Sequence, residues 1–170
     1  MRREFKTILL TQQQPNNRPA DNPRYKMFFN QDRATMRRYF ADAWQRRRDN
    51  LPLEPLAMII ADIVAQHPEY HSLLENVDGA VDKDYSPEVG ETNPFLHMAL
   101  HSAIREQVNT NRPAGIAIVH QQLCHKRGDN HDAEHEIMEC LVEALWQAQR
   151  NNTMPDEQDY LRKLQERLVR

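Results

Sequence analysis

From Leu56, the residues Ile59, Ile60, Ile63, Val64 and His67 follow at offsets of 3, 4, 7, 8 and 11, the spacing of one face of an α-helix. A strand needs alternation with a period of two, and this stretch does not alternate. The same helical rhythm returns through most of the chain. Only 4 of its 170 residues are glycine, too few for the many tight turns of a sheet-rich fold. The pattern predicts an all-α protein, a single helical bundle of about five to seven helices. An irregular basic arm over residues 1–30 precedes a helical domain over 31–170.

Prolines and capping residues mark where the helices begin. A first helix is expected from Asp32 to Arg48, with Met36, Tyr39, Phe40 and Ala43 on one side. A second starts near Glu54, with Pro55 in its first turn. Pro68 disfavours helical geometry at His67, so a short separate helix carrying Tyr70, His71, Leu73 and Leu74 should start there. An acidic loop with Asp78, Asp82, Asp84 and Glu88 follows. Asn93 and Pro94 form an N-cap and first-turn pair for a helix to Val108. Further helices are expected over Pro113–Lys126, from Asp129 or Asn130 to Arg150, and over Pro155–Leu168.

No apolar run reaches the length of a membrane span, and Ile8-Leu9-Leu10 is too short for a signal-peptide core. Two cysteines, Cys124 and Cys140, make no disulfide framework, which fits a reduced, cytoplasmic setting. Charge is uneven. Residues 1–50 hold 12 Lys/Arg and 5 Asp/Glu, a balance of +7, and the other 120 hold 10 and 20, a balance of −10, giving −3 in all. Arg37, Arg38, Arg46, Arg47 and Arg48 are the densest basic stretch. Such a stretch suits docking on RNA, a ribosome or an acidic protein, and also serves as an ordinary solvated face.

The chain's chemistry lies in its histidines. Six of the 8 fall into three His-x-x-x-His pairs: His67/His71, His97/His101 and His131/His135. Random placement would give roughly 0.3 such pairs, by the template counting appropriate to periodic signals. Residues four apart stack on one helix face, so both imidazoles of a pair can reach one metal ion. At 100° per residue, His97, His101, Ile104 and Val108 fall within an arc of about 60°. His131, His135, Met138 and Val142 do the same, with Trp146 and then Glu139 at the edge. All three pairs are therefore expected to face the core.

Buried imidazoles need partners for a donor and an acceptor each, and a bound metal meets much of that need. The ligands expected are His67, His71, His97, His101, His131, His135 and Glu139, in one or two centres. Glu69, Arg105 and Glu134 would support them or meet a substrate. Imidazole-rich sets suit zinc or non-haem iron, and no Glu-x-x-His of the di-iron bundles is present. His131-Asp132-Ala133-Glu134-His135 matches the inverted zinc-peptidase signature, with Glu134 as base. Only 35 residues follow it, too few for the rest of such an enzyme. His67-x-Glu69 evokes zinc deaminases, whose Pro-Cys-x-x-Cys partner is missing.

His67-Pro68-Glu69-Tyr70-His71, Asn93-Pro94-Phe95-Leu96-His97-Met98 and Ile104-Arg105-Glu106-Gln107 resemble signature stretches of a bacterial family, domain-of-unknown-function family 1841. Arg112-Pro113 with Gly115, and Ala133-Glu134-His135 through Glu139 to Trp146-Gln147-Ala148-Gln149, extend the likeness, which spans residues 26–160. The family implies no activity and carries over no catalytic residue.

Two readings of function emerge. The first is a metal-binding helical bundle, with hydrolytic or redox and oxygen chemistry open to it. A site of that kind can also be completed across a homo-oligomer interface. The second is a non-enzymatic adaptor that binds RNA, a ribosome or an acidic protein through its arginines. A core that responds to pH through its clustered imidazoles is a third.

Overall fold

The computed structural model describes residues 33–81, 83, 85 and 93–169. Eight α-helices run through them: α1 Arg33–Arg48, α2 Pro55–Ala65, α3 His71–Glu75, α4 Val77–Val81, α5 Pro94–Thr110, α6 Ile116–Arg127, α7 Asn130–Asn151 and α8 Glu157–Val169. A 3-10 turn, Pro68–Tyr70, separates α2 from α3, and the described residues contain no strand. The all-α expectation holds. None of the described helices is long and apolar enough to cross a membrane. The expected arm over residues 1–30 lies outside the described residues, as do Asp82, Asp84 and Glu88 of the expected acidic loop. Asp78, placed in that loop from sequence, belongs to the short helix α4.

These residues group into two compact units, 33–102 and 103–169, to which α5 contributes its residues 94–102 and 103–110 respectively. In the first unit α1 packs on α2, α3 and α4. Its core includes Phe40, Ala43, Ile60, Ile63, Val64 and Leu74 from the stripes read from sequence, joined by Phe95 and Met98, while Tyr39 and Leu56 of those stripes are exposed. Phe95 stands edge-on to Phe40 at 6.4 Å and to Tyr85 at 6.2 Å. Arg37 is buried beside them, its guanidinium 5.1 Å from the Phe95 ring centre. Its Nη1 donates to the Lys83 carbonyl at 2.8 Å. Arg47 pairs with Asp62 of α2, and Arg48 with Glu75 of α3.

In the second unit α6, α7 and α8 pack on one another around Ile116, Leu123, Ile137, Met138 and Leu164. Asp129 caps α7 by accepting from the Asp132 amide at 2.9 Å. Gly128 ends α6 in the left-handed region at φ 74°, where a side chain would be strained. Lys126 closes α8 from outside, its Nζ donating to the carbonyls of Arg167 and Leu168 at 3.0 and 2.9 Å. The Tyr160 hydroxyl donates to Gln107 Oε1 at 3.0 Å and so ties α8 to α5. Burial of the ring pushes that hydroxyl's pKa far up, so it stays a donor.

Phe95 joins α5 to Phe40, Tyr85 and Arg37 in the first unit's core. Replacing it by Ala should destabilise the protein by about 3–5 kcal/mol, read from urea unfolding. A loss below about 1 kcal/mol would mean that these contacts do not hold α5 in the core.

Candidate metal centre

Pro68 decides how the first histidine pair is used. Its ring bars helical geometry at the preceding residue, and His67 accordingly leaves the helix at φ −123° and ψ 68°. The chain then passes through the 3-10 turn before α3 begins at His71. The two histidines therefore do not stack as residues four apart on one continuous helix. Proline also has no N–H for the carbonyl of Val64, four residues back. His71 meets that carbonyl, Nε2 donating to it at 2.9 Å while the ring lies against Trp44 at 4.3 Å. His71 is thus a cap on the end of α2 and stands outside the imidazole cluster.

His67 continues the buried stripe of α2 and is only 2% exposed. Its Nδ1–H donates to the Ile63 carbonyl at 2.7 Å, which leaves the lone pair on Nε2. That Nε2 faces His97 Nε2 at 3.1 Å. The hydrogen-bonding pattern assigns the tautomer: between neutral rings, His97 supplies the proton that lies between them.

His97 and His101 come from the first turns of α5. Asn93 starts that helix, its Oδ1 accepting from the amides of Phe95 and Leu96 at 3.1 and 3.2 Å. Pro94 fills the first helical position, where no amide donor is needed. The two rings lie on one face as the spacing predicts, edge-on with centres 4.8 Å apart, and His101 is fully buried. His67 lies 4.9 Å from each of them, centre to centre. One nitrogen from each of the three rings lies within 4.8 Å of the others, so the cluster can hold a metal ion.

Sequence reasoning did not assign a role to Tyr70. Its ring lies parallel to His67, 5.5 Å away at an interplanar angle of 4°, and edge-on to His97 at 6.1 Å. Burial, and then the charge of Glu69, raise its hydroxyl pKa. The signal was present in the sequence as an aromatic three residues beyond a histidine at a helix break. Glu69 itself is exposed in the 3-10 turn.

In the second unit His131 and His135 meet edge-on along α7 with ring centres 4.3 Å apart, on one face as the spacing predicts. Glu134 between them is buried and receives Arg105, Nε on Oε1 at 2.9 Å and Nη2 on Oε2 at 3.2 Å. Asn130 Nδ2 adds a third donor at 2.9 Å. A carboxylate held by three donors makes a poor base, which removes the working part of the inverted-peptidase motif. Glu139 pairs with Arg167 of α8 at 2.9 Å. Both sequence-assigned carboxylates on α7 are thus engaged by arginine.

The basic stretch of α1 is also largely spent inside the fold. Arg37 is buried, and so is no part of an exposed docking face. Arg46 donates through Nε and Nη2 to the Pro52 carbonyl at 3.2 and 2.7 Å. Arg47 and Arg48 face the carboxylates of Asp62 and Glu75, and Arg38 is exposed.

The fold and this cluster define an all-helical protein with a buried seat of imidazoles. The chain belongs to the DUF1841 family, described as a domain of unknown function, whose sequence model matches residues 32–166. No curated protein and no solved structure matches it.

Removing one partner of a buried ion pair leaves the other charge uncompensated. Arg105→Ala should therefore destabilise the protein by about 3 kcal/mol, and a Glu134→Gln/Arg105→Met double variant by clearly less. Equal losses in a denaturant series would show that the carboxylate is not dependent on the guanidinium.

Proposed function

We propose that this chain is a metal-binding helical protein whose His67, His97 and His101 hold a divalent cation, with zinc as the best fit. The observation that carries the reading is the 3.1 Å approach of His67 Nε2 to His97 Nε2. Two imidazoles on one tetrahedral zinc, with bonds of 2.0–2.1 Å, hold their nitrogens about 3.3 Å apart. Little movement would convert one arrangement into the other.

Three further features support it. The Ile63 carbonyl on His67 Nδ1–H is the kind of outer partner that orients a metal-binding histidine and leaves Nε2 free to bind. His67 and His101 are almost wholly buried, so an ion bound by them would be shielded from competing water. The cluster is built of neutral nitrogen donors, while Glu134 and Glu139 are held by arginines. Iron centres that activate oxygen generally include a carboxylate, so zinc is preferred to iron.

The ligand count sets what such a centre does. A fourth protein ligand makes zinc structural, and a water in that place makes it hydrolytic, since bound water is acidified towards pH 7.

Metal content by plasma mass spectrometry on untagged protein tests the proposal. The chain should carry zinc, and a His97→Ala/His101→Ala variant should carry about one ion per chain fewer. A His131→Ala/His135→Ala variant measured beside it reports that pair's own contribution. Protein that remains folded, contains no metal and binds none on titration would contradict the reading.

A further inference from the structure

The histidine pairs leave His120 and His125 unassigned, and the structure gives His120 a setting of its own. His120 and Cys124 are four residues apart on α6, hence on one helix face. Cys124 Sγ lies 3.6 Å from His120 Nε2 and 3.9 Å from Nδ1. The same sulfur lies 3.5 Å from Asn130 Oδ1, at the start of α7. From these contacts we infer that His120, Cys124 and Asn130 form a second, mixed sulfur–nitrogen–oxygen metal seat, for zinc or a cation of similar softness.

The spacing fits the chemistry. With a zinc–sulfur bond of 2.3 Å and zinc–nitrogen or zinc–oxygen bonds of 2.0–2.2 Å, the edges of a tetrahedral site from sulfur to nitrogen or oxygen are about 3.6 Å. Both edges from Cys124 Sγ already have this length. The amide of Asn130 is not free to turn either way. Its Nδ2 donates to Glu134 Oε1 at 2.9 Å, and Glu134 is fixed in turn by Arg105, so Oδ1 is the atom left facing the sulfur. An oriented donor backed by a rigid ion pair is the support that metal ligands require.

The seat is also accessible. His120 and Cys124 are half-buried and Asn130 is exposed, so a hydrated ion can enter and a water can complete the coordination. Binding is balanced by one proton: the Cys124 S–H bond breaks, the proton passes to solvent, and the sulfur's electron pair forms the bond to the metal. Nothing is oxidised or reduced. This seat lies within the second unit and shares no residue with the three-histidine cluster, so it stands independently of the zinc reading above.

Cobalt(II) titration of the full chain under reducing conditions separates the two. Cobalt on imidazoles alone gives no thiolate-to-metal charge-transfer band in the near ultraviolet, so that band reports this seat only. It should appear and saturate by two added cobalt ions per chain, one for each seat, vanish in Cys124→Ser and persist in Cys140→Ser. His120→Ala should weaken the cobalt affinity at least about tenfold. In the unaltered chain, zinc should slow alkylation of Cys124 by iodoacetamide, followed by peptide mapping, which requires no variant to fold. Absence of the band, its survival in Cys124→Ser, an unchanged affinity in His120→Ala, or equal alkylation rates with and without zinc would each overturn the inference.

Discussion

The missing amide hydrogen of Pro68 is the constraint on which the first unit's chemistry depends. It removes the i+4 donor of the Val64 carbonyl and ends α2 where that carbonyl and the Ile63 carbonyl each accept from a histidine side chain as well as from an amide of the last turn. His67 answers one and His71 the other. Because they answer through different nitrogens, the two rings have different fates. His67 donates through Nδ1 and presents Nε2 to the cluster, whereas His71 spends Nε2 on the backbone and rests on Trp44. One proline thus fixes a tautomer, caps a helix and sets which imidazole is available to a metal.

The rest of the first unit holds α5 against that helix end. Asn93 and Pro94 start α5 in a defined register, and four residues later His97 stands where His67 can reach it. Phe95, one residue after the proline, turns into the core against Phe40, Tyr85 and Arg37. The ring that fixes the helix and two of the three cluster rings, His97 and His101, come from the same two turns. Rigidity of this kind matters for a metal site, since displacements of half an ångström separate a ligand from a neighbour.

Much of this was legible in the sequence. The stripe from Leu56 to His67 marked α2, Asn93–Pro94 the start of α5, Asp129 or Asn130 the start of α7, and the four-residue spacing the neighbouring rings of His97/His101 and His131/His135. What failed to show has physical reasons. Spacing presumes a continuous helix, and Pro68 breaks it between His67 and His71. A run of arginines shows charge without showing partners, and Arg47 and Arg48 find theirs 15 and 27 residues away. Glu134 and Glu139 looked available because Arg105 and Arg167 are distant in the chain. Tyr70 was passed over because stacking is a relation between ring planes, which only coordinates express.

The central claim is that the ion, when bound, is held by imidazole nitrogens from this cluster. X-ray absorption at the zinc edge, on the full chain loaded with one equivalent of zinc, tests it directly. The account predicts a nitrogen shell near 2.0–2.1 Å with the multiple-scattering pattern of at least three imidazoles, reduced in a His67→Ala variant. A shell dominated by oxygen or sulfur, unchanged by that substitution, would contradict it.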